Sequence, residues 1–283
     1  MELIQDMKTS RFWRYFLMSS FACLGAVGTI LQTINVISPT VTIFQGFYIL
    51  IAVSVFSVAV GLKMSWPQPM TQDYNSPKTR ITIVEGDILK QPTHLVIGTN
   101  DTFDTETPII IDGNSLQGQA LRVLYGDNRN ELDTQLDAAL AGKSIIGIIN
   151  KLGKQSRYGI GTIATLTHSP RLIFFLAYCE MDANNNASST PDCVWKSLNM
   201  LWGEVSRRGN GGTISMPVIG GGHARLSNVV PAQDSIRLMV LSFMFASRGS
   251  RVSEELRIVV QKADYKKLDR LELQSFLSSL RAS

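Results

Sequence analysis

The sequence predicts an α/β fold in which a three-layer domain with a mixed sheet is preceded by a two-helix transmembrane hairpin. Two observations lead to this fold class. Residues 15–62 contain no Asp, Glu, Lys, Arg or His, as expected of membrane spans. Residues 80–283 contain short β-branched runs that alternate with helical patterns, as in a sheet with helices on both faces. With 45% hydrophobic and 18% charged residues, the chain does not resemble a disordered, collagen-like or disulfide-stapled protein.

The uncharged run is long enough for two membrane-spanning helices. A bilayer core of about 30 Å is crossed by about 20 helical residues, so a single span would leave much of the run unexplained. Pro39 interrupts the run, because proline cannot continue a helix and biases Ser38 toward an extended conformation. We therefore predict spans over 15–37 and 41–62, joined by a very short turn, within an N-terminal hairpin segment of residues 1–63.

Basic residues flank the predicted hairpin at both outer ends and are missing from its turn. They are Lys8, Arg11, Arg14, Lys63, Lys78 and Arg80. Because basic residues are retained on the cytoplasmic side of a membrane, both termini are predicted to be cytoplasmic. The hairpin is either an anchor or a self-associating element that opens the membrane, with a stripe of small residues as its contact surface. This stripe consists of Ala22, Gly25, Ala26 and Thr29.

A cleaved signal peptide is a third interpretation of the first span, but it leaves the second span unexplained.

The segment after the second predicted span, residues 64–79, contains three prolines and no apolar periodicity, which predicts an extended linker. Residues 80–283 are then predicted to form one domain. Its strands are predicted at Ile81–Val84, Leu95–Gly98, Ser144–Ile149, Gly161–Leu166, Leu172–Ala177, Thr213–Val218 and Leu256–Val260.

Helices are predicted between and after these strands. Apolar residues recur at helical spacing after Asp192, the predicted N-cap, and Gly209 ends that run. A second helix is predicted to open at Ser227 or Asn228 and to run through Leu238–Phe245. The last helix is predicted to bury Leu268, Leu271, Phe276, Leu277 and Leu280.

Composition argues against several classes of function. The net charge of +4 is not concentrated in a basic run, so no nucleic-acid partner is expected. The three cysteines, Cys23, Cys179 and Cys193, show no CxxC spacing, so we predict neither a thiolate metal site nor a disulfide framework. A reducing compartment fits this pattern. The polar segment Asp182–Asp192 is predicted to be a flexible surface loop that acts as a spacer.

A glycine-rich junction is the first candidate for a binding site. Gly220, Gly221, Gly222 and His223 follow an apolar predicted strand and precede a predicted helix. Glycines at such a junction let backbone N–H groups approach an anion, and the helix N-terminus adds a favourable field. Phosphate is therefore one candidate ligand, although glycine-rich turns also occur where nothing binds.

Three short motifs follow one another with the spacing of a known domain family. They are Val84–Ile88 (VEGDI), Leu95–Asp101 (LVIGTND) and Met216–Gly222 (MPVIGGG). Together they resemble a macro domain, the α/β/α module that binds ADP-ribose. Three further motifs look like the divergent macro domain of Thoeris anti-phage effectors: Asn100–Thr105 (NDTFDT), Ser115–Gly118 (SLQG) and Tyr158–Thr162 (YGIGT). The two predicted spans are similar to the membrane-anchored branch of those effectors.

The resemblance implies ligand contacts residue by residue. Asp87 would accept a hydrogen bond from the adenine amino group, with Ile88 in backbone contact beside it. Asn100, followed by Asp101, would lie near the distal ribose. Two phosphate-facing loops are implied, the first with Ser115, Leu116, Gln117 and Gly118, and the second with Gly220, Gly221, Gly222, His223 and Ala224.

Several of these residues also have purely structural interpretations. Asp87 would cap the turn after Gly86, and Asn100 and Asp101 would form a turn at a strand end. His223 is interpreted as a ligand contact rather than a catalyst, because no other His or Cys has metal-ligand spacing to it. The asparagine and glycine segments of hydrolytic macro domains are incomplete here, so binding without turnover is predicted, with no cofactor, no metal and no catalytic residue.

The resemblance implies a membrane-anchored anti-phage effector of the bacterial inner membrane. Its cytoplasmic macro domain would bind an ADP-ribose-derived signal, with a histidine conjugate as the expected ligand, which a TIR-domain partner enzyme makes from NAD. Binding would then drive homo-oligomerisation and disruption of the lipid bilayer, and so abortive infection. Two other functions stay open, a membrane-tethered ADP-ribosyl hydrolase and a scaffold that recruits ADP-ribosylated proteins.

Overall fold

The computed structural model describes residues 7, 10–38, 46–66, 70–220 and 231–281. The chain divides into a helical N-terminal unit, with which Asp269–Glu272 are grouped, and an α/β unit that begins at Met70. The helical unit contains α1 (Ser10–Ile37) and α2 (Phe47–Met64). Both helices are long and apolar enough, by length and composition, to cross a membrane.

The two N-terminal helices pack side by side. A Cβ at Gly61 of α2 would lie 2.0 Å from Oγ of Ser20 in α1, so the backbones approach closely there. Both helices differ in length from the predicted spans, because α1 begins five residues before position 15 and α2 six residues after position 41. The predicted turn residues Pro39 and Thr40 lie outside the described residues.

The α/β unit contains one main mixed sheet and a small second sheet. Its strands are β1 (Met70–Asn75), β2 (Lys78–Glu85), β3 (His94–Asn100), β4 (Ile145–Ile148), β5 (Ser156–Tyr158), β6 (Ile163–His168), β7 (Arg171–Met181), β8 (Ala187–Ser188), β9 (Ile214–Pro217) and β10 (Glu255–Val260). Its helices are α3 (Leu116–Tyr125), α4 (Arg129–Leu140), α5 (Pro191–Arg208), α6 (Ala232–Gly249), α7 (Lys262–Tyr265) and α8 (Arg270–Ser279). A 3₁₀ turn spans Ile88–Lys90.

The main sheet has the spatial order β1-β2-β10-β9-β3-β7-β6, and β8 pairs with β7. β2, β10, β9, β3 and β7 are parallel, whereas β1, β6 and β8 are paired antiparallel to their neighbours. The carboxyl ends of the five parallel strands therefore meet along one edge of the sheet. At this edge the register of β3 against β7 shifts between Thr99 and Asn100, which leaves Tyr178 as an extra residue in β7.

Helices cover both faces of the main sheet, which confirms the predicted three-layer α/β class. On one face, α5, α6 and α8 contribute Trp202, Phe243 and Leu273 to a core with Phe174 of β7. On the other face, α3 and α4 pack on a second core that contains Phe175. Because adjacent residues of a strand point to opposite faces, Phe174 and Phe175 are both fully buried in different cores.

The structure differs from the sequence prediction in two strands. Residues 70–75 lie in the predicted linker 64–79, yet they form β1, an edge strand paired with β2. The domain predicted to start at residue 80 therefore has a strand upstream of that boundary. The predicted strand Ser144–Ile149 is present as β4, but within the described residues it pairs with β5 in the small second sheet.

The helix boundaries also show where the prediction was right and wrong. The N-cap of α5 is Thr190 rather than Asp192, because Thr190 Oγ1 accepts a hydrogen bond from the Cys193 N–H at 3.2 Å. Gly209 follows the last turn of α5, as predicted. The α6 helix starts at Ala232, and the predicted openings Ser227 and Asn228 lie outside the described residues.

Candidate functional site

A cavity of about 720 Å³ lies at the carboxyl edge of the main sheet. Binding pockets for small molecules have volumes of roughly 300–1,000 Å³. Four adjacent parallel strands supply its floor, mostly through residues at or just past their ends. These residues are Val259, Val260 and Gln261 from β10, Pro217, Val218 and Ile219 from β9, Val96, Gly98, Thr99 and Asn100 from β3, and Tyr178, Cys179 and Met181 from β7.

The first predicted phosphate loop borders this cavity at the start of α3. Ser115 is the N-cap of α3, since its Oγ accepts a hydrogen bond from the Gly118 N–H at 3.1 Å and donates to the Asp112 carbonyl at 2.6 Å. Ser115, Leu116 and Gln117 line the cavity, as predicted ligand residues should. The N-terminal end of α3, with its partial positive charge, therefore faces the cavity.

Gly118, the last residue of that predicted loop, is not among the described residues that line the cavity. A Cβ at this position would lie 2.5 Å from the Asp112 carbonyl oxygen and 2.8 Å from the Gly113 Cα. The backbone of residues 112–113 thus crosses directly over Gly118. Because Gly118 has no side chain, the first turn of α3 can pack directly against the backbone of residues 112–113.

Asn100 lines the cavity and also organises the chain after β3. Its Oδ1 accepts hydrogen bonds from the backbone N–H and the hydroxyl of Thr102, at 3.0 and 2.9 Å, and from the Asp104 N–H at 3.3 Å. The turn-forming interpretation of Asn100 is therefore confirmed. Its Nδ2 donates to no described residue, which leaves two donors for a ligand.

Asp101 has a structural role that the sequence did not indicate. Its Oδ2 lies 2.6 Å from Arg157 Nε, and its Oδ1 accepts a hydrogen bond from the Met181 N–H at 2.8 Å. The carboxylate is almost fully buried and is not among the residues that line the cavity. Asp101 therefore joins the end of β3 to the end of β7 and to β5.

A buried ion pair anchors a loop that forms part of the cavity wall. Asp104 Oδ2 lies 2.7 Å from Lys151 Nζ, and both side chains are at most 1% exposed. Asp104 Oδ1 accepts a hydrogen bond from the Lys154 N–H at 2.8 Å. Because buried charges require such partners, the pair fixes the loop after residue 104 against the turn at 151–154. This loop carries Pro108, Ile110 and Ile111 into the cavity wall.

Asp87 and Ile88 are not among the described residues that line the cavity. Asp87 Oδ1 accepts a hydrogen bond from the Leu89 N–H at 3.0 Å and caps the 3₁₀ turn, as its structural interpretation predicted. Ile88 is buried in the second core. The Gly86 N–H donates to the Val260 carbonyl at 3.0 Å, so Asp87 follows directly on the β10 end of the cavity.

The second predicted phosphate loop is described only at its first residue. Gly220 lines the cavity and has a φ of 93°, a conformation that favours glycine. The other predicted residues of this loop are Gly221, Gly222, His223 and Ala224. They lie outside the described residues.

The structure adds cavity residues that the sequence analysis did not select. Tyr178 and Cys179 come from the end of β7, and Asn185 and Asn186 come from the segment predicted to be a spacer. Burial raises the pKa of the Tyr178 hydroxyl. Burial also raises the pKa of the Cys179 thiol to about 12, with a further contribution from Asp101. At neutral pH Cys179 is therefore a protonated thiol and a poor nucleophile.

The charges around the cavity are few. Its described lining contains two carboxylates, Asp112 and Asp264, and neither lysine nor arginine. Asp264 lies 2.8 Å from Lys267 Nζ. Within the residues that the structure describes, no group of three or more His, Cys, Asp or Glu side chains is arranged to hold a metal ion. An anionic ligand would therefore rely on backbone N–H groups in this part of the site.

Comparison with known proteins gives a consistent picture. The family model described as "Thoeris protein ThsA, Macro domain" matches residues 81–261. The Thoeris protein ThsA of Bacillus amyloliquefaciens (strain Y2) is 24% identical over 208 residues, which cover 70% of this chain and 68% of that protein.

Solved macrodomains share the fold of the α/β unit. The Oceanobacillus iheyensis macrodomain with ADP has a TM-score of 0.50 at 14% identity, covering 75% of this chain and 99% of that chain. A glycine-to-valine variant of that macrodomain with ADPR has a TM-score of 0.51 at 14% identity, covering 74% and 99%. At this identity the comparison shows the fold alone, and it confirms the predicted macrodomain-like architecture.

Proposed function

The chain belongs to the family of the Thoeris protein ThsA macro domain, and from this premise we propose that it binds an ADP-ribose-derived signal. The observation that carries the proposal is the cavity across the carboxyl ends of β10, β9, β3 and β7. Open α/β sheets bind their ligands at this edge. The similar Oceanobacillus iheyensis macrodomain has been solved with ADP, and a variant of it with ADPR.

In this proposal Asp87 recognises the adenine at the β2 and β10 end of the cavity. Its Oδ1 is used by the Leu89 N–H, but its side chain is 46% exposed and Oδ2 lies 3.9 Å from Lys90 Nζ. A carboxylate has enough lone pairs to cap the turn and to accept a hydrogen bond from an exocyclic amine. The structural and the ligand-binding interpretations of Asp87 are therefore compatible.

The diphosphate is proposed to bind between α3 and Gly220. The N–H groups of Leu116 and Gln117 belong to the first turn of α3, where an α-helix leaves its donors without helical acceptors. Both residues line the cavity. Since the described lining lacks lysine and arginine, these backbone donors and the helix dipole supply the favourable field for an anion.

Binding is proposed to occur without turnover. The titratable side chains of the described lining are Asp112, Tyr178, Cys179 and Asp264. The raised pKa values of Tyr178 and Cys179 keep both groups protonated near neutral pH. Asp264 is paired with Lys267. Because covalent catalysis needs a nucleophile with an adjacent base, this set of side chains argues against a covalent enzyme intermediate and supports the proposal of binding without turnover.

The proposed signal is an amino-acid conjugate of ADP-ribose, with histidine as the amino acid, made by a TIR-domain partner enzyme. The helices α1 and α2 are proposed to span the bacterial inner membrane with both chain termini in the cytoplasm. The stripe of Ala22, Gly25, Ala26 and Thr29 is exposed along α1, as a helix contact between copies of the chain requires. Ligand drives assembly if it binds the assembled state more tightly than the single chain.

The binding step is tested by calorimetric titration of the full-length protein in detergent with ADP-ribose and with its histidine conjugate. Asp87→Asn keeps an oxygen for the Leu89 N–H and removes the charged acceptor. We expect the affinity for both ligands to fall about tenfold or more, a loss of about 1.4 kcal/mol. The matched control is Asp137→Asn, at a carboxylate that is 70% exposed and does not line the cavity. Unchanged affinity of Asp87→Asn contradicts the adenine role, and no binding by wild type contradicts the whole proposal.

Turnover and assembly need separate measurements. Chromatography of the conjugate after incubation with the protein should recover it intact, and released ADP-ribose would favour the hydrolase alternative. Addition of the conjugate to protein in dye-loaded vesicles should increase both oligomer size and dye release. Ligand binding without either change would contradict the proposed membrane disruption.

A further inference from the structure

The segment between β7 and β8 is a hydrogen-bonded turn that borders the cavity at its β7 end. Asp182 Oδ1 accepts hydrogen bonds from the backbone N–H groups of Asn184 and Asn186, both at 2.8 Å. The Asp182 N–H donates to the Asn186 carbonyl at 3.0 Å, and the Asn185 N–H donates to the Asp182 carbonyl at 3.1 Å. One carboxylate thus closes the turn, which holds Asn185, Asn186 and Ala187 at the cavity.

Asn185 carries an acceptor without a partner at this position. Its φ is 60°, in the left-handed region that asparagine tolerates. Its Oδ1 is buried and receives no hydrogen bond from any described residue. A buried acceptor without a donor is destabilising, so native proteins retain such groups mainly where a ligand or another partner completes them. Asn185 itself lines the cavity, so a ligand bound there lies beside this amide.

The turn lies at the β7 end of the cavity, whereas Asp87 follows directly on the β10 end. The strand order places β7 three positions from β10, beyond β9 and β3. With neighbouring strands about 4.8 Å apart, the two ends are separated by roughly 14 Å. A ligand whose adenine contacts Asp87 and whose diphosphate contacts α3 therefore presents its other end to β7 and to the turn.

We propose that the turn Asp182–Ala187 forms a subsite for the group attached beyond the distal ribose, and that Asn185 Oδ1 accepts a hydrogen bond from an N–H or O–H of that group. The inference rests on the proposed function, since it uses the same ligand orientation. It predicts that the protein prefers ligands whose attached group carries a hydrogen-bond donor, such as an amide, an imidazole or a hydroxyl. Sites built to pair with one polar group discriminate strongly against ligands that lack it.

The test compares two ligands on variants of the full-length protein in detergent. Asn185→Gly removes the acceptor and keeps a residue that adopts the left-handed conformation. We expect it to lower the affinity for the histidine conjugate about tenfold or more, while the affinity for ADP-ribose changes less than about twofold. Asn185→Asp keeps an acceptor and should retain the preference for the conjugate. Asn184→Gly, at an exposed residue outside the cavity lining, should alter neither affinity.

Each other outcome overturns the assignment. Equal losses for both ligands in Asn185→Gly mean that Asn185 supports only the fold of the turn. Unchanged conjugate affinity means that Oδ1 contacts no ligand donor, and equal affinities of wild type for both ligands mean that nothing beyond the ribose is recognised. These results leave intact the proposal that the cavity binds an ADP-ribose derivative. A wild-type protein that binds neither ligand overturns the proposed function, and the subsite with it.

Discussion

The ring of Tyr178 lies directly against the backbone of Gly98, so that a Cβ at position 98 would lie 2.4 Å from Tyr178 Cε1. Both residues line the cavity, Gly98 from β3 and Tyr178 from the neighbouring strand β7. Because Gly98 has no side chain, the Tyr178 ring can lie against its backbone and form part of the cavity wall.

Replacing Gly98 by alanine should displace this ring. The overlap forces the Tyr178 ring to move from its place in the cavity wall, because β3 and β7 are paired within the main sheet and cannot separate easily. We expect unfolding to become easier by about 1–3 kcal/mol, the usual cost of overpacking, and ADP-ribose affinity to fall about tenfold or more. Denaturant unfolding and calorimetric titration measure the two effects. Gly142→Ala is the control, because a Cβ there meets nothing within 4 Å.

Gly118→Ala should damage the start of α3. The added methyl group would lie 2.5 Å from the Asp112 carbonyl, so either the loop or the first helical turn must move. We expect a loss of about 1–3 kcal/mol in unfolding free energy, with weaker ligand binding because Leu116 and Gln117 belong to that turn. Gly113→Ala serves as the control, since its Cβ would lie 3.5 Å from Thr107. Equal stability of the two variants would show that the loop adjusts without cost.

Asp101→Asn should reduce stability more than ligand affinity. The buried carboxylate holds Arg157 and the Met181 N–H, and loss of its charge should cost about 2–3 kcal/mol. The control is Asp73→Asn, whose partner Arg80 is 2.6 Å away with both side chains more than half exposed. Such a surface pair contributes at most about 1 kcal/mol. Loss of ADP-ribose binding with unchanged stability would instead make Asp101 a ligand contact.

Stability should fall at alkaline pH. Burial raises the pKa of Cys179 from its ordinary value of 9.0 to about 12, and burial likewise raises the pKa values of Tyr74 and Tyr125 from 10.0 to about 12. The folded state therefore binds more protons than the unfolded state between pH 9 and pH 12. The contribution of these groups is complete below pH 9 and is lost as pH rises, by up to about 1.4 kcal/mol per pH unit for each group.

Urea unfolding of the wild type and of Cys179→Ala at pH 8, 9 and 10 measures this dependence. In the unfolded chain the Cys179 thiol, with an ordinary pKa of 9.0, loses its proton before the tyrosines, whose ordinary pKa is 10.0. Cys179→Ala should therefore reduce the fall in unfolding free energy between pH 9 and pH 10. A pH-independent unfolding free energy in the wild type would contradict the raised pKa of the thiol.

Two of the predicted strands that reappear in the main sheet share one property. Leu95–Gly98 and Leu172–Ala177 are apolar at successive positions because they are buried on both faces, and such runs can be recognised without knowledge of their partners. The edge strand β1 was missed since only alternate residues, Met70, Gln72 and Tyr74, face the protein, and one of these is polar. Its sequence therefore resembles a linker.

The candidate site was predictable where the signal is local. Ser115 followed by Gly118 fits an N-cap and a close approach, and both are found at the start of α3. The partners of Asp101, which are Arg157 and the Met181 N–H, lie 56 and 80 residues away along the chain, and no local pattern identifies them. Polar residues in a loop indicate only that the loop is hydrated, so the turn after β7 was interpreted as a spacer.

The extra residue at the end of β7 has a consequence for how such domains diversify. Thr99 is opposite Ala177 and Asn100 is opposite Cys179, so one inserted residue, Tyr178, determines which side chains reach the cavity. A bulge of this kind also increases the local twist of its strand. Deleting Tyr178 would restore a regular ladder and would turn residues 179–181 to the opposite faces of the sheet. Ligand preference in related chains can therefore change through a single-codon insertion or deletion, which a comparison of substitutions alone would miss.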